Sequence, residues 1–399
     1  MKSKTFSKSK VLLFHAAFLQ ISSYIARPAA IYKAIELDIN PAYIGAMAIS
    51  FSILPLLLSV FVGRASDNGH NSKVLLSGSI LMILVGVGLL SLSNSIIWLQ
   101  VWILALGLGH VMLVVGQQSQ IAALGKSDLD NAFGMYTFAG SIGQSIGPAL
   151  LLVAGGSNLI PDTQMLFFLY LISTIILLLL TLPLSRDFDI KKELKSKPQE
   201  KLLQSLKNVD KESKPILATA MLVSLIVIGT VDVITIYLPV LGVERGISAS
   251  IIGVLLSLRA LSSMTSRFYL GKLSKMYGRK QLIVISTALA GIFLAAIAID
   301  SPIAILGVLV ILFGFTIGIG QPLTMTMIIL SVPPATANTW LALRLSANRI
   351  GQTAIPATVG LTALALGTSG VFGVSGVLLL GIAALTSKLL PKKHSSLLD

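Results

Sequence analysis

The chain alternates between long apolar runs and short polar breaks, and twelve of the runs reach the twenty or so residues that cross a bilayer as one helix. They fall at residues 10–35, 43–63, 73–93, 96–122, 131–156, 163–185, 215–241, 248–270, 281–299, 302–331, 338–365 and 369–390. Very short turns near Asn94 and Ser301 separate neighbouring runs. One break is long. Arg186–Lys214 mixes Lys with Asp, Glu and Ser, and its piece PQEKLLQSLKNVDKES is compatible with a helix lying along the membrane surface. The pattern predicts an all-α integral membrane protein with one six-helix bundle at 1–185, a cytoplasmic linker at 186–214 and a second bundle at 215–399. The linker reads as a tether, with a regulatory docking segment as the alternative.

The two predicted bundles repeat each other. Gly45, Gly63, Gly143, Gln144 and Pro148 return 208 residues later as Gly253, Gly271, Gly351, Gln352 and Pro356. Local context returns as well: YIGAM matches IIGVL, and SIGQSIGP matches RIGQTAIP. Shared strings at a constant offset mark an internal duplication. Membrane chains built twice over commonly have two pseudo-symmetric halves that move against each other around a central site.

Composition narrows the classes. Hydrophobic residues make up 54% of the chain and charged residues 12%, far from the balance of soluble domains. A net charge of +14 could suggest nucleic acid, but the Lys and Arg sit in short loops rather than on one amphipathic face or beside stacking aromatics. No nucleic-acid partner is expected. One side of the predicted bundle carries the N-terminal lysines, Arg64, Lys73, Lys126, the linker, Lys272, Lys275, Arg279, Lys280 and Lys392–Lys393. The other carries little beyond Lys33 and Arg245. By the positive-inside tendency, both termini are expected in the cytoplasm, with the chain in the cell (plasma or inner) membrane. The lysines before VLLFHAAFL imitate a signal peptide, but this segment has a counterpart in the second half, so it reads as the first span. Cysteine is absent, and His15, His70, His110 and His394 show no ligand spacing; no metal and no cofactor are expected. Nor does any nucleophile–base set or phosphate loop point to an enzyme.

Two loops carry a mechanical signature. Gly63-Arg-Ala-Ser-Asp67-Asn-Gly69 follows the second run, and Gly271-Lys-Leu-Ser-Lys275-Met-Tyr-Gly278-Arg279-Lys280 follows the eighth. Both resemble the loop motif of the major facilitator superfamily, a Gly, an acid four residues on, a Gly and then basic residues. The resemblance extends over nearly the whole chain. It implies twelve transmembrane helices in two pseudo-symmetric bundles, a close helix approach at Gly63, and a latch between Asp67 and the start of the eleventh helix near Thr336–Asn338. This chain departs from the motif at His70 and Asn71, where basic residues are usual, and at Lys275, where an acid is common. In the fifth run, Gly134, Gly143, Gly147 and Pro148 resemble the G-x8-G-x3-G-P motif of the drug/proton antiporter branch, although Gly155-Gly156 comes too late to close it. Small residues and a proline there permit a bend; ordinary helix packing is the other reading. In the fourth run Ile103 stands where proton-coupled relatives carry an arginine, ahead of Gly107-Leu-Gly109.

A charge inside a span is costly and therefore a functional candidate. Asp232, midway along the seventh run, is the one acid placed deep in the membrane, and the offset pairs it with Tyr24. It could carry a proton or cation, pair with an arginine, or lie at a wetted helix end. Arg27, Arg259, Arg267, Arg344 and Arg349 outnumber it. Arg267 reads as part of the gating loop. Arg344 and Arg349 point about 140° apart on one helix, so they cannot share a face. With Tyr24, Gln117 and Gln321, the residues Arg27, Arg259 and Arg344 form a candidate binding set for a carboxylate- or phosphate-bearing solute; snorkelling and packing are the alternative.

Function then follows from the resemblance. It implies a secondary exporter working by alternating access, moving an amphipathic, anionic organic solute such as a drug-like compound or a siderophore against protons. Asp232 is the expected coupling group and Gly63, Asp67, Gly271 and Arg279 the expected gate. Two alternatives stay open: an importer or facilitator of an organic acid or phosphorylated metabolite, and a non-transporting receptor. The expected partners are a small molecule, protons and the bilayer. With no sign of oligomerisation in the sequence, a monomer is expected.

Overall fold

The structure, a computed structural model, describes residues 2–91, 95–122, 129–185, 213–332 and 337–390. Helices account for nearly all of them, and no strand occurs among the described residues. Twelve long helices run in chain order: α1 (Lys2–Glu36), α2 (Ala46–Ala65), α3 (Asn71–Leu90), α4 (Ile96–Ala122), α5 (Leu129–Ala149), α6 (Thr163–Ser185), α7 (Ser213–Glu244), α8 (Ala249–Phe268), α9 (Arg279–Ile297), α10 (Ile303–Leu330), α11 (Ala337–Gly360) and α12 (Ala363–Leu389). In hydrocarbon every backbone N–H and C=O must be satisfied within the segment, which is why apolar runs of this length become helices.

Nine of the twelve are apolar and long enough to span a membrane on length and composition alone, judged over the described residues. The other three are informative. In α2 the described side chains run unbroken over Ile49–Ser59, within the apolar run AMAISFSILPLLLSVFVG. His15, Gln20 and Arg27 dilute α1, and Arg344, Asn348, Arg349 and Gln352 dilute α11. Those polar residues build the site described below.

The described residues divide into two compact units, the first holding 2–40, 46–185 and 238–260, the second 41–45, 213–237 and 261–390. The predicted linker lies outside the described residues except for its last two, which begin α7. Within the first unit α1 lies along α5 and α6, α3 along α4 and α6, and α2 along α4. Within the second, α9 packs against α10 and α12, while α11 touches α10, α12 and the short turn of helix Pro41–Ile44.

The duplication read from the sequence is a duplication of contacts. A Cβ at Gly143 would strike the carbonyl of Ala17 and come 2.8 Å from Gln20 Cβ. At Gly351 it would strike the carbonyl of Leu225 and come 3.0 Å from Leu225 Cγ. Ala17 and Leu225 are themselves 208 residues apart, so α5 meets α1 and α11 meets α7 at equivalent points. A second pair behaves alike. A Cβ at Gly45 would lie 2.5 Å from the Pro356 carbonyl oxygen within the second unit, and one at Gly253 would lie 2.6 Å from that of Pro148 within the first. All four of those residues obey the same offset.

Among the described residues no close approach is made at Gly63, where one is expected, nor at its repeat Gly271. A Cβ at either position would meet nothing within 4 Å. Both glycines lie at helix ends that carry exposed neighbours, such as Phe268, rather than at a packed crossing. After Gly63 the chain makes a wide turn over Ser66–His70, with Gly69 at φ 86°, a value that suits glycine. The turn is held from inside. Ser66 Oγ donates to Asn71 Oδ1 at 2.7 Å, and Asn71 Nδ2 donates to the Gly116 carbonyl of α4 at 3.2 Å. The side chains of Asp67 and Gly134 lie outside the described residues, as do Thr336 and the side chain of Asn338, so the predicted latch does too.

Candidate functional site

Among the described residues, polar side chains gather into two clusters in the first unit and one in the second. In the first unit, Gln20, Tyr24 and Arg27 recur at the spacing of one face of α1. The Arg27 guanidinium carbon sits 4.8 Å from the Phe51 ring centre on α2 and 5.9 Å from that of Tyr24. Phe51 in turn lies 5.7 Å from the His110 ring of α4. His110 Nε2 meets Gln20 Nε2 at 3.5 Å, and Gln144 Nε2 donates to Gln20 Oε1 at 3.4 Å. A cation set against an aromatic face in a desolvated site gains about 2 kcal/mol or more. Tyr24 and Arg27 thus come together with Phe51, His110 and Gln144.

A second cluster in this unit is sealed. His15 is fully buried, its Nε2 2.8 Å from Thr181 Oγ1 and its Nδ1 2.7 Å from Gln117 Nε2. Gln117 Oε1 accepts from the Tyr136 hydroxyl at 3.0 Å, and Ser79 Oγ lies 2.7 Å from Thr181 Oγ1. Five helices, α1, α3, α4, α5 and α6, are tied by this one chain of bonds. Gln117 reads from the sequence as a solute contact or an interhelical hydrogen-bonding group; the structure places it at 0% exposure with its oxygen and its nitrogen both engaged.

The second unit holds the charged counterpart. Arg344 of α11 is 4% exposed and turns toward α10. Its Nε donates to Thr324 Oγ1 at 3.2 Å, and its Nη2 donates to both the carbonyl and the side-chain oxygen of Gln321, at 2.9 and 2.6 Å. Gln321 is fixed by Asn348 Nδ2 at 3.1 Å and by its own Nε2 donating to the Ser224 carbonyl of α7 at 2.9 Å. Ser224 Oγ closes the ring by donating to Asn348 Oδ1 at 2.6 Å. Every partner of Arg344 is neutral, and no carboxylate lies within ion-pairing distance of it among the described residues. Arg349, as its angular separation predicts, faces elsewhere and bonds Gln352 Oε1 on its own helix at 3.0 Å.

The remaining candidates are placed singly. Asp232 is 2% exposed on α7 in the second unit, and Arg259 is 3% exposed on α8 in the first. Arg267 Nε reaches the Gly318 carbonyl of α10 at 3.4 Å. Arg279 opens α9 and is half-buried. Gly147 of the helix-bend motif sits 2.7 Å, measured from an added Cβ, from Tyr24 Cβ, so the small residues of α5 let α1 bring its polar face close. Among the described residues no cluster of His, Asp or Glu could hold a metal.

Comparison with known proteins decides the family. The family model described as Major Facilitator Superfamily matches twice, over residues 12–251 and 220–397. The chain belongs to the major facilitator superfamily. Its two matches are the sequence repeat seen from outside. Among solved structures, this superfamily member is similar to the nucleoside transporter NupG, at 15% identity and a TM-score of 0.76, covering 96% of this chain and 100% of that one. It is similar to a D-xylose-proton symporter at 15% identity and a TM-score of 0.75, covering 97% and 98%. A bacterial homolog to the human lysosomal transporter Spinster, in an inward-facing and unoccupied conformation, matches at 14% identity and a TM-score of 0.73, covering 98% and 97%. At such identities these likenesses establish the shared fold. No curated protein sequence matches the chain. As a superfamily member it is a multi-pass membrane transporter of small molecules working by alternating access, with twelve helices in two pseudo-symmetric bundles.

Proposed function

We propose that the protein exports a small amphipathic organic anion, drug-like or carboxylate-rich, in exchange for protons. The observation that carries the anionic cargo is Arg344, a buried guanidinium whose partners are all neutral. Burying an unbalanced cation is expensive, and such a group is retained in a transporter where a cargo of opposite sign supplies the balance. Outward movement rests on the resemblance of Gly143, Gly147 and Pro148 to the antiporter motif. Proton exchange rests on Asp232, an acid buried in the middle of α7. The basic loops support cytoplasmic termini in the cell membrane.

Everted membrane vesicles loaded with a pH gradient test this reading, with labelled salicylate as the probe. Gradient-dependent accumulation is the expected result. Accumulation in right-side-out vesicles alone would assign import instead, and transport in neither orientation by folded protein would favour a receptor. Asp232→Asn should lower gradient-driven accumulation by at least tenfold while salicylate binding stays measurable by thermal shift. Undiminished coupled transport by that variant would remove Asp232 from the coupling step.

A further inference from the structure

The polar cluster of the second unit shares one arrangement with the sealed cluster of the first, a donor set against a glutamine oxygen. Tyr136 and Arg344 obey the 208-residue offset. Each directs its donor at the Oε1 of a glutamine on the preceding helix, Gln117 at 3.0 Å and Gln321 at 2.6 Å. Each glutamine also bonds to the first helix of its half, at His15 Nδ1 and at the Ser224 carbonyl. His15 and Ser224 are themselves within one residue of the offset. The two glutamines stand 204 residues apart, one helical turn short of the offset, yet each socket presents a glutamine oxygen to a donor from the fifth or eleventh helix. A neutral phenol fills it in one half, a cation in the other.

This comparison separates what the fold requires from what Arg344 adds. A donor is required; the charge is not. The geometry of the guanidinium then limits how the charge is used. Thr324 takes the Nε hydrogen, and the two oxygens of Gln321 take both hydrogens of Nη2. Among the described residues Nη1 has no partner, and Arg344 as a whole keeps 4% of its surface exposed. A fork to a carboxylate needs Nη2 together with either Nε or Nη1. With Nη2 committed, no fork can form.

We infer, on the anion-carrying reading above, that Arg344 is a specificity residue that grips a single oxygen of the cargo's acidic group through Nη1 alone. The cargo class is a solute presenting one carboxylate or comparable oxyanion end-on. Gln321, Thr324 and Asn348 are positioning residues: they hold the guanidinium plane and commit its other hydrogens. Recognition here needs a point of positive charge rather than a planar fork, so lysine should serve where arginine stands.

Thermal unfolding of the purified full-length protein with acetate, benzoate or phenyl phosphate, at fixed ionic strength and with benzamide as the neutral control, tests the inference. Wild type and Arg344→Lys should both be stabilised by the anions and not by benzamide, with half-maximal concentrations within about tenfold of each other. Arg344→Tyr should lose the response. Without any anion, Arg344→Tyr should unfold at or above the wild-type temperature, because the socket is filled as Tyr136 fills its own, while Arg344→Ala should unfold below it. If the anions stabilise wild type and Arg344→Tyr equally, the grip lies elsewhere and this inference falls while the anion-carrying reading stands. If none of them stabilises wild type, that reading falls and takes the inference with it. Loss of all response in Arg344→Lys would restore the fork, and unfolding of Arg344→Tyr together with Arg344→Ala would end the equivalence of the two sockets.

Discussion

Gly351→Val is expected to destabilise the folded protein by about 2–3 kcal/mol, the cost of forcing extra carbons into a closed packing. The reason is local and mechanical. A Cβ at Gly351 meets the carbonyl and Cγ of Leu225 on α7, and a backbone carbonyl cannot rotate aside as a side chain can. The equivalent change Gly143→Val should behave alike, since Ala17 and Gln20 of α1 stand in the same relation to it. Thermal unfolding in detergent reads both. The control is sharp: Gly63→Ala and Gly271→Ala, where no atom lies within 4 Å of the added carbon, should change stability by no more than about 1 kcal/mol, and toward greater helix stability. Equal damage at all four glycines would mean that these motif positions pack tightly after all.

Gln117→Leu is expected to be nearly as harmful. The shape is kept, but two buried groups lose their only or principal partner: the Tyr136 hydroxyl, and Nδ1 of His15. A buried polar group left unmade costs about 1–3 kcal/mol, so the single substitution should cost about 2–4 kcal/mol. The double variant Gln117→Leu/Tyr136→Phe removes one orphan and should recover part of the loss. Such recovery is the signature of residues acting through one network. Strict additivity of the two substitutions would show that the bonds are independent and that the cluster does not act as a unit.

Much of this architecture is legible in the sequence because its cause is periodic. Apolar length specifies the helices, and the offset that joins Gly143 to Gly351 also joins the residues they touch, Ala17 and Leu225. The opposition of Arg344 and Arg349 follows from helical geometry alone. What escapes is the sealed cluster. His15, Ser79, Gln117, Tyr136 and Thr181 sit on five different helices, up to 166 residues apart, and no local spacing marks them as neighbours. His15 alone reads as a stray polar residue, and Gln117 as either a solute contact or an interhelical hydrogen-bonding group with no partner named. A signal was present in the offset: Tyr136 stands where the second half has Arg344, and each lies one helix beyond a Gly-Gln pair, Gly116-Gln117 and Gly320-Gln321. The motif at Gly63 carries a residue type but not its partner: a Cβ there would meet nothing within 4 Å, whereas one at Gly45 or at Gly253 would meet a proline carbonyl.

Proline supplies no N–H, so the carbonyl four residues before it has no helical donor. For Pro148 and Pro356 those carbonyls belong to Gln144 and Gln352, the duplicated glutamines. An oxygen so placed in the middle of a membrane protein is a natural seat for an ordered water. The duplicated proline thus leaves one carbonyl without a helical donor at equivalent positions in the two halves, each able to take up a single bound water.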